Sequence, residues 1–148
     1  MFQGAALLNL DNKGRLAIPA RHRDMLLAHC GGQLVLTADA DGCLLLYPQP
    51  EWQPIREKLM QLSAFNPRIR ALQRFLVGYA EDVVMDAAGR VLISPTLRNF
   101  AVLDKRVMLV GQGNKCEVWD EARWQAQHEK MNGFTDGDLP PELEGFTL

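Results

Sequence analysis

Asp11 and Arg15, and again Asp86 and Arg90, are the residues of this chain best suited by type and spacing to do chemistry. Each pair belongs to an Asp-x-x-Gly-Arg motif. The first copy reads Leu10-Asp11-Asn12-Lys13-Gly14-Arg15-Leu16-Ala17-Ile18. The second, 75 residues later, reads Met85-Asp86-Ala87-Ala88-Gly89-Arg90-Val91-Leu92-Ile93. Both lead into a proline, Pro19 or Pro95. Two carboxylates suggest an acid–base pair. Two guanidinium groups suggest a flat, bidentate contact to phosphate or to a guanine edge. The carboxylates are better explained by turns, because an Asp at the first turn position accepts a backbone hydrogen bond two residues on. A glycine at the fourth position fits a type I turn closed by a left-handed residue. Asp11, Gly14, Asp86 and Gly89 are therefore assigned to turn structure, and no catalytic residue is assigned. For Arg15 two roles stay open: a salt bridge to Asp11, or contact with a ligand. Arg90, in a less basic setting, leans towards structure.

Charge around the motifs is uneven. The chain has 148 residues and a net charge of −2, which does not announce a nucleic-acid binder. Residues 1–23 nevertheless carry Lys13, Arg15, Arg21 and Arg23 against Asp11 alone. Residues 66–75 carry Arg68, Arg70 and Arg74 and no acid, whereas residues 129–148 carry five acids against Lys130. A local positive face attracts phosphate even when the average is acidic. Lys13, Arg15, Arg21 and Arg23, drawn from one hairpin and the helix after it, are expected to share such a face. The second half offers Arg90 and Arg98 only, so the first half is expected to dominate phosphate contacts. Arg68, Arg70 and Arg74 read as a helix surface suited to salt bridges or subunit contacts as much as to DNA.

Other chemistries find little support. There is no Walker loop, no dinucleotide fingerprint and no Ser-His-Asp or Cys-His frame. Cys30, Cys43 and Cys116 read as reduced thiols, and His22, His29 and His128 share no ligand spacing with them. The expectation is a non-enzyme with no metal, no cofactor and no small-molecule substrate. No apolar run approaches the roughly 18 residues that cross a bilayer, and no signal peptide is apparent, so no membrane partner and a cytoplasmic location are expected.

The elements that position the motifs follow the repeat. Strands are expected at Ala6 to Leu10, Arg15 to Ile18, Val83 to Met85 and Arg90 to Ile93. Pro19 opens a helix over Ala20 to Ala28 that ends at Gly31-Gly32. Its counterpart begins with Ser94 as cap and Pro95 as first helical residue. Strands at Gln33–Ala38 and Cys43–Tyr47 are answered by Arg106–Val110 and Cys116–Trp119. Leu34-Val35-Leu36 is matched with Met108-Leu109-Val110, Leu46-Tyr47 with Val118-Trp119, and Trp52 with Trp124. Longer helices follow at Glu51 to Leu62, from Pro67 to Leu76, and at Glu121 to Met131 behind Asp120. Trp52 and Trp124 fall on apolar stripes and read as core or interface anchors. The tail beyond Asn132-Gly133 is expected to be loosely ordered. It is also expected to discourage binding to arbitrary DNA.

The start Met1-Phe2-Gln3-Gly4, the two Asp-x-x-x-Arg motifs, and Leu44-Leu45-Leu46-Tyr47-Pro48-x-Pro50-x-Trp52 resemble the bacterial MraZ proteins over nearly the whole chain. The resemblance implies an α+β fold of two tandem swapped-hairpin, β-barrel-like units of the AbrB/SpoVT type, forming a pseudo-dimer within one chain, with packing helices. The internal repeat divides the chain into a first repeat at 1–50, connecting helices at 51–75, a second repeat at 76–120, and a C-terminal helix and acidic tail at 121–148. The resemblance implies a ring-shaped homo-oligomer that binds double-stranded DNA at repeated sites upstream of its own operon, the division and cell-wall gene cluster, as a repressor in the cytoplasm and nucleoid. From their charge and their place beside the motifs, the residues expected to contact DNA are Lys13, Arg15, Arg21, Arg23, Arg90 and Arg98. The competing reading is a ring-forming protein scaffold that never touches DNA.

Overall fold

The structure, a computed structural model, describes residues 1–132 and 140–147. Its elements are β1 (Ala5–Asn9), β2 (Arg15–Ala17), α1 (Ala20–Cys30), β3 (Gln33–Ala38), β4 (Leu44–Pro48), α2 (Gln49–Gln61), α3 (Pro67–Gln73), β5 (Glu81–Val84), β6 (Arg90–Leu92), α4 (Pro95–Phe100), β7 (Arg106–Gly111), β8 (Cys116–Asp120) and α5 (Glu121–Asn132). A π-helical turn, Arg74–Gly78, continues α3. The expected disorder of the tail falls partly on residues 133–139 and 148, outside the described residues. Within 140–147 there is one short 3-10 turn, Pro141–Leu143.

Both motifs fold as the turns their residues dictate. The Asp11 carbonyl accepts from Gly14 N at 3.0 Å, and Oδ1 accepts from Lys13 N at 3.0 Å and Arg15 N at 2.8 Å. The second copy matches it, with Asp86 Oδ1 accepting from Ala88 N at 3.0 Å and Arg90 N at 2.8 Å. Gly14 and Gly89 take φ of +84° and +77°, the left-handed values that close such turns.

The strands leaving each turn then part company. β1 pairs antiparallel with β7 of the other repeat, Leu7 opposite Met108, while β5 pairs with β3, Asp82 opposite Val35. β2 and β6 pair with each other, Leu16 opposite Val91. A lone hairpin buries too little to hold itself together. Exchange instead places Leu16, Ile18, Val91 and Ile93 in one shared core, each no more than 1% exposed. Full burial of such a side chain contributes about 1.5–3 kcal/mol.

The main sheet runs β1-β7-β8-β4-β3-β5. Replacing each strand by its repeat counterpart returns the same order reversed, so a pseudo-two-fold axis passes between β8 and β4. This is the swapped pseudo-dimer in one chain. The sheet stays open, with β1 and β5 as edges, so the arrangement is barrel-like without being a closed barrel.

Strand register corrects one part of the repeat alignment. Leu7 opposite Met108 and Asp82 opposite Val35 make Val35 the counterpart of Met108, not of Leu109. A one-residue slip would turn every side chain to the wrong face. In the corrected register Leu34 and Leu36 match Val107 and Leu109 in the core beneath β2 and β6, while Val35 and Met108 face the opposite side. There Tyr47 packs on Trp52 and Trp119 on Trp124, with ring centroids 5.5 and 6.1 Å apart, beneath α2 and α5. Trp52 is thus a core anchor.

The helices start as their sequences suggest. Ser94 Oγ accepts from Leu97 N at 3.3 Å, with Pro95 as the first residue of α4. Asp120 Oδ2 accepts from Ala122 N at 3.1 Å and Arg123 N at 3.3 Å ahead of α5. Gly31, at φ +61°, ends α1.

Candidate nucleic-acid interface

β2 and β6 form a two-stranded antiparallel ribbon on the surface. Arg15 lies opposite Leu92, Leu16 opposite Val91 and Ala17 opposite Arg90. Leu16 and Val91 point into the core, so Arg15, Ala17, Arg90 and Leu92 must point outward. Arg15 and Arg90 are diagonal neighbours, at a spacing of roughly 7–8 Å for such positions. One arginine comes from each repeat. The expected split between a DNA-facing first half and a structural second half concerns two arginines that the ribbon places on one outward face.

The open question about the motif arginines resolves towards the salt bridge, with capacity left over. Arg15 Nε donates to Asp11 Oδ2 at 2.6 Å, and Arg90 Nε to Asp86 Oδ2 at 3.0 Å. The terminal Nη groups of both make no hydrogen bond to the described residues. Each guanidinium is therefore held in place by one nitrogen while its two-pronged end stays available. The backbone N–H of Arg15, then its side chain, hold the Asp11 carboxyl below the usual carboxylate range. Those of Arg90 do the same for Asp86. Carboxylates held ionised in this way orient arginines; they are unsuited to donating protons.

Arg23 and Arg98 lie elsewhere than their sequence neighbours suggest. Arg23 Nε donates to the Ile18 carbonyl at 2.6 Å and Arg98 Nε to the Ile93 carbonyl at 3.0 Å. Each guanidinium then crosses to the turn of the other repeat. Arg98 sits against Gly14, where an added Cβ would lie 2.7 Å from Cζ, and Arg23 sits against Gly89. Backbone bonds run beside them, Ile18 N to the Gly89 carbonyl at 2.8 Å and Ile93 N to the Gly14 carbonyl at 3.0 Å. Arg23 and Arg98 thus tie the two repeats together. Arg21 is separate again, with Nε donating to His22 Nε2 at 3.2 Å and its head lying against Gly4. Lys13 stands exposed at the first turn tip. The ribbon and its turns carry Lys13, Arg15 and Arg90, with the Arg98 head against the first turn, the Arg23 head against the second and the Arg21 head at Gly4.

A sharp stability test follows. Gly14→Ala and Gly89→Ala should each cost about 1–2 kcal/mol for the left-handed backbone, and more because the crossing arginine must move. Gly113→Ala shares a positive φ of +76° but meets nothing within 4 Å. Thermal denaturation should show the first two variants losing about 3–8 °C in Tm and exceeding the third. Equal losses in all three would remove the arginine contact as a tie.

Three positions escaped the sequence reading. Ala17 and Leu92 are ribbon-face residues, and the period-two pattern around Leu16 and Val91 already placed them outward. Lys105 lines a hollow of about 270 Å³ beside the first turn, with Asn12, Arg98 and Asp104. The Leu10 N–H bond to the Lys105 carbonyl at 2.8 Å brings it there, a pairing between repeats that local sequence does not reveal.

His22 is buried against Phe2, ring centroids 5.1 Å apart, and burial, then Arg21 and the chain N-terminus, push its pKa down. The Asp39, Cys43 and Glu117 ligand atoms lie within 4.8 Å of one another. Asp39 Oδ2 already accepts from Asp41 N at 3.1 Å, and Glu117 Oε1 from Trp119 Nε1 at 3.0 Å. Burial raises the Cys43 thiol and pushes that of Cys116 up to about 12, which suits neither to nucleophilic work. Among the described residues, no helix is long and apolar enough to cross a membrane.

The family model described as MraZ protein matches residues 1–75 and again residues 76–138, one copy for each half of the pseudo-dimer. The chain belongs to the MraZ family. Relatives named Transcriptional regulator MraZ are 57% identical in Nitrosomonas eutropha and 60% identical in Thiobacillus denitrificans, with 100% of both chains covered in each case. A third, from Nitrosomonas europaea, is 55% identical over the same full length. The MraZ model divides the chain at residue 75, between the π-helical turn residues Phe75 and Leu76.

Proposed function

We propose that this chain is a sequence-specific DNA-binding transcriptional regulator that lays the β2–β6 ribbon into the major groove. The observation that carries the reading is the ribbon itself: two tethered arginines on the outward face of a two-stranded element. B-DNA's major groove admits a ribbon of that size, and arginine paired with guanine O6 and N7 is the commonest specific contact. Lys13 at the turn tip reaches phosphate, which supplies affinity without sequence information. The relatives' name, Transcriptional regulator MraZ, fits the same role. Given the resemblance, the targets are repeated sites upstream of its own operon in the division and cell-wall gene cluster. The effect there is repression, and the location is the cytoplasm and nucleoid.

A head-to-tail ring is part of this proposal. Two dissimilar apolar patches on one chain make a heterologous contact, which closes into a ring when the rotation allows. The α2–α3 corner exposes Met60, Leu62, Phe65 and Leu72, and Phe65 is 97% exposed. The β1–β7 face offers Leu7 beside Met108 and Val110.

The test is fluorescence anisotropy with a duplex from upstream of the chain's own coding sequence, titrated at two salt concentrations. Tight binding whose log–log salt slope scales with the phosphates neutralised, at about 0.9 per phosphate, is the expected result. A well-formed oligomer that ignores this duplex at both concentrations would move the assignment to the protein scaffold.

A further inference from the structure

The repeat is symmetric in backbone and unequal in what its ribbon displays. Offset by 75 residues, Arg15 matches Arg90, but Lys13 matches Ala88 and Ala17 matches Leu92. Cross-strand pairing then sorts these differences by end. Leu92 lies opposite Arg15, next to the turn that holds Lys13, while Ala17 lies opposite Arg90, next to the turn that holds Ala88. One end of the ribbon therefore presents a lysine, an arginine and a leucine. The other presents an arginine between two alanines.

Leu92, at the Lys13 end of this surface, is 54% exposed, whereas Val91 beside it is buried at 1%. Its side chain stands on the outward face of a three-residue strand, across from the tethered guanidinium of Arg15. The only base-edge feature of the major groove that an aliphatic side chain recognises is the 5-methyl group of thymine.

We propose that Leu92 is a specificity-determining residue that packs on a thymine methyl beside the guanine taken by Arg15, so that one chain reads a polar, non-palindromic element. This rests on the ribbon being the DNA-reading surface. Arg15 and Arg90 each select a guanine, and Leu92 sets which end of the element faces the Lys13 turn. Ala17 offers a single methyl at the Arg90 end, with less apolar surface and a shorter reach than Leu92.

The experiment replaces thymines of the upstream duplex one at a time by uracil, which removes only the 5-methyl group. Wild-type protein should bind about fourfold more weakly at one position of each repeated site, the worth of one buried methyl. Leu92→Ala should bind the unmodified duplex more weakly and respond equally to thymine and uracil at that position. Ala17→Leu should create a second sensitive position at the opposite end of the site. Wild-type indifference to uracil at every position, with tight binding retained, would overturn the role of Leu92 and leave the DNA-reading assignment standing. A changed oligomer mass for Leu92→Ala would overturn it too, by making the residue a subunit contact. Absence of binding to the unmodified duplex by the wild type would remove both.

Discussion

Replacing Arg15 and Arg90 together by alanine is expected to lower affinity for the upstream duplex by on the order of 10²–10³-fold, with oligomer mass and secondary structure unchanged. The magnitude comes from base recognition: a bidentate arginine–guanine pair discriminates by about 1–3 kcal/mol, and two are lost. The fold should survive, because both side chains are partly exposed, 29% and 37%, and exposed ion pairs contribute little to stability. The turns keep their Asp-to-backbone bonds, which do not involve the guanidinium. The single variants carry the sharper information. If the ribbon acts as one surface, Arg90→Ala should weaken binding comparably to Arg15→Ala. A first-half-dominated interface would leave Arg90→Ala near wild type. Lys13→Ala should differ in kind, flattening the salt slope by about 0.9 per chain and weakening all duplexes alike. Retention of full affinity by the double variant would exclude the ribbon as the reading surface.

What the sequence revealed about this interface divides by range. The Asp-x-x-Gly-Arg turns were legible because every bond in them is local, from Asp11 to residues 13–15 and from Asp86 to residues 88–90. The capped starts of α4 and α5 were legible for the same reason. The resemblance, and not the periodicity, supplied the swap. Nothing local distinguishes a closed hairpin from strands that separate and pair with partners as near as Leu36 to Glu81 or as far as Ala5 to Val110. Where the basic side chains end up is hidden for the same reason. Arg23 is adjacent to the first motif in sequence, yet its head rests on Gly89, while Arg98 rests on Gly14. Adjacency predicts a shared face only where both residues stay on one local unit, and here α1 and α4 each reach across the pseudo-two-fold axis. The slip in aligning β3 with β7 has a similar origin, because apolar runs such as Leu34-Val35-Leu36 carry no alternation to fix their register.

If the chain forms the proposed ring, Phe65→Asp, and separately Met108→Asp, are expected to give monomers of native fold and to reduce affinity for the upstream duplex by about 10²–10⁴-fold, the gain that linked sites supply. The argument starts from the pseudo-symmetry. In the first half, the sheet face around Val35 is covered by α2 and by the π-helical turn after α3, whose Leu76 carbonyl accepts from the buried Thr37 hydroxyl at 2.6 Å. In the second half α5 takes the place of α2, but among the described residues no element takes the place of that turn. The position matching Thr37 is Val110, half-buried, and the one matching Asp82 is Leu7, 43% exposed. An apolar face is thus left where its twin is covered. The same chain carries an unused apolar corner at Met60, Leu62, Phe65 and Leu72. In the proposed ring the patches differ, so contact between copies would run head to tail, each copy retaining one free end until the ring closes. A charge at Phe65 damages one side of that contact, and a charge at Met108 the other. Mixing the two variants is the decisive step. Each keeps one intact patch, so the mixture should yield heterodimers by native mass spectrometry, whereas either variant alone should give monomers. Rings of wild-type mass from both single variants would exclude these two patches as the subunit contact.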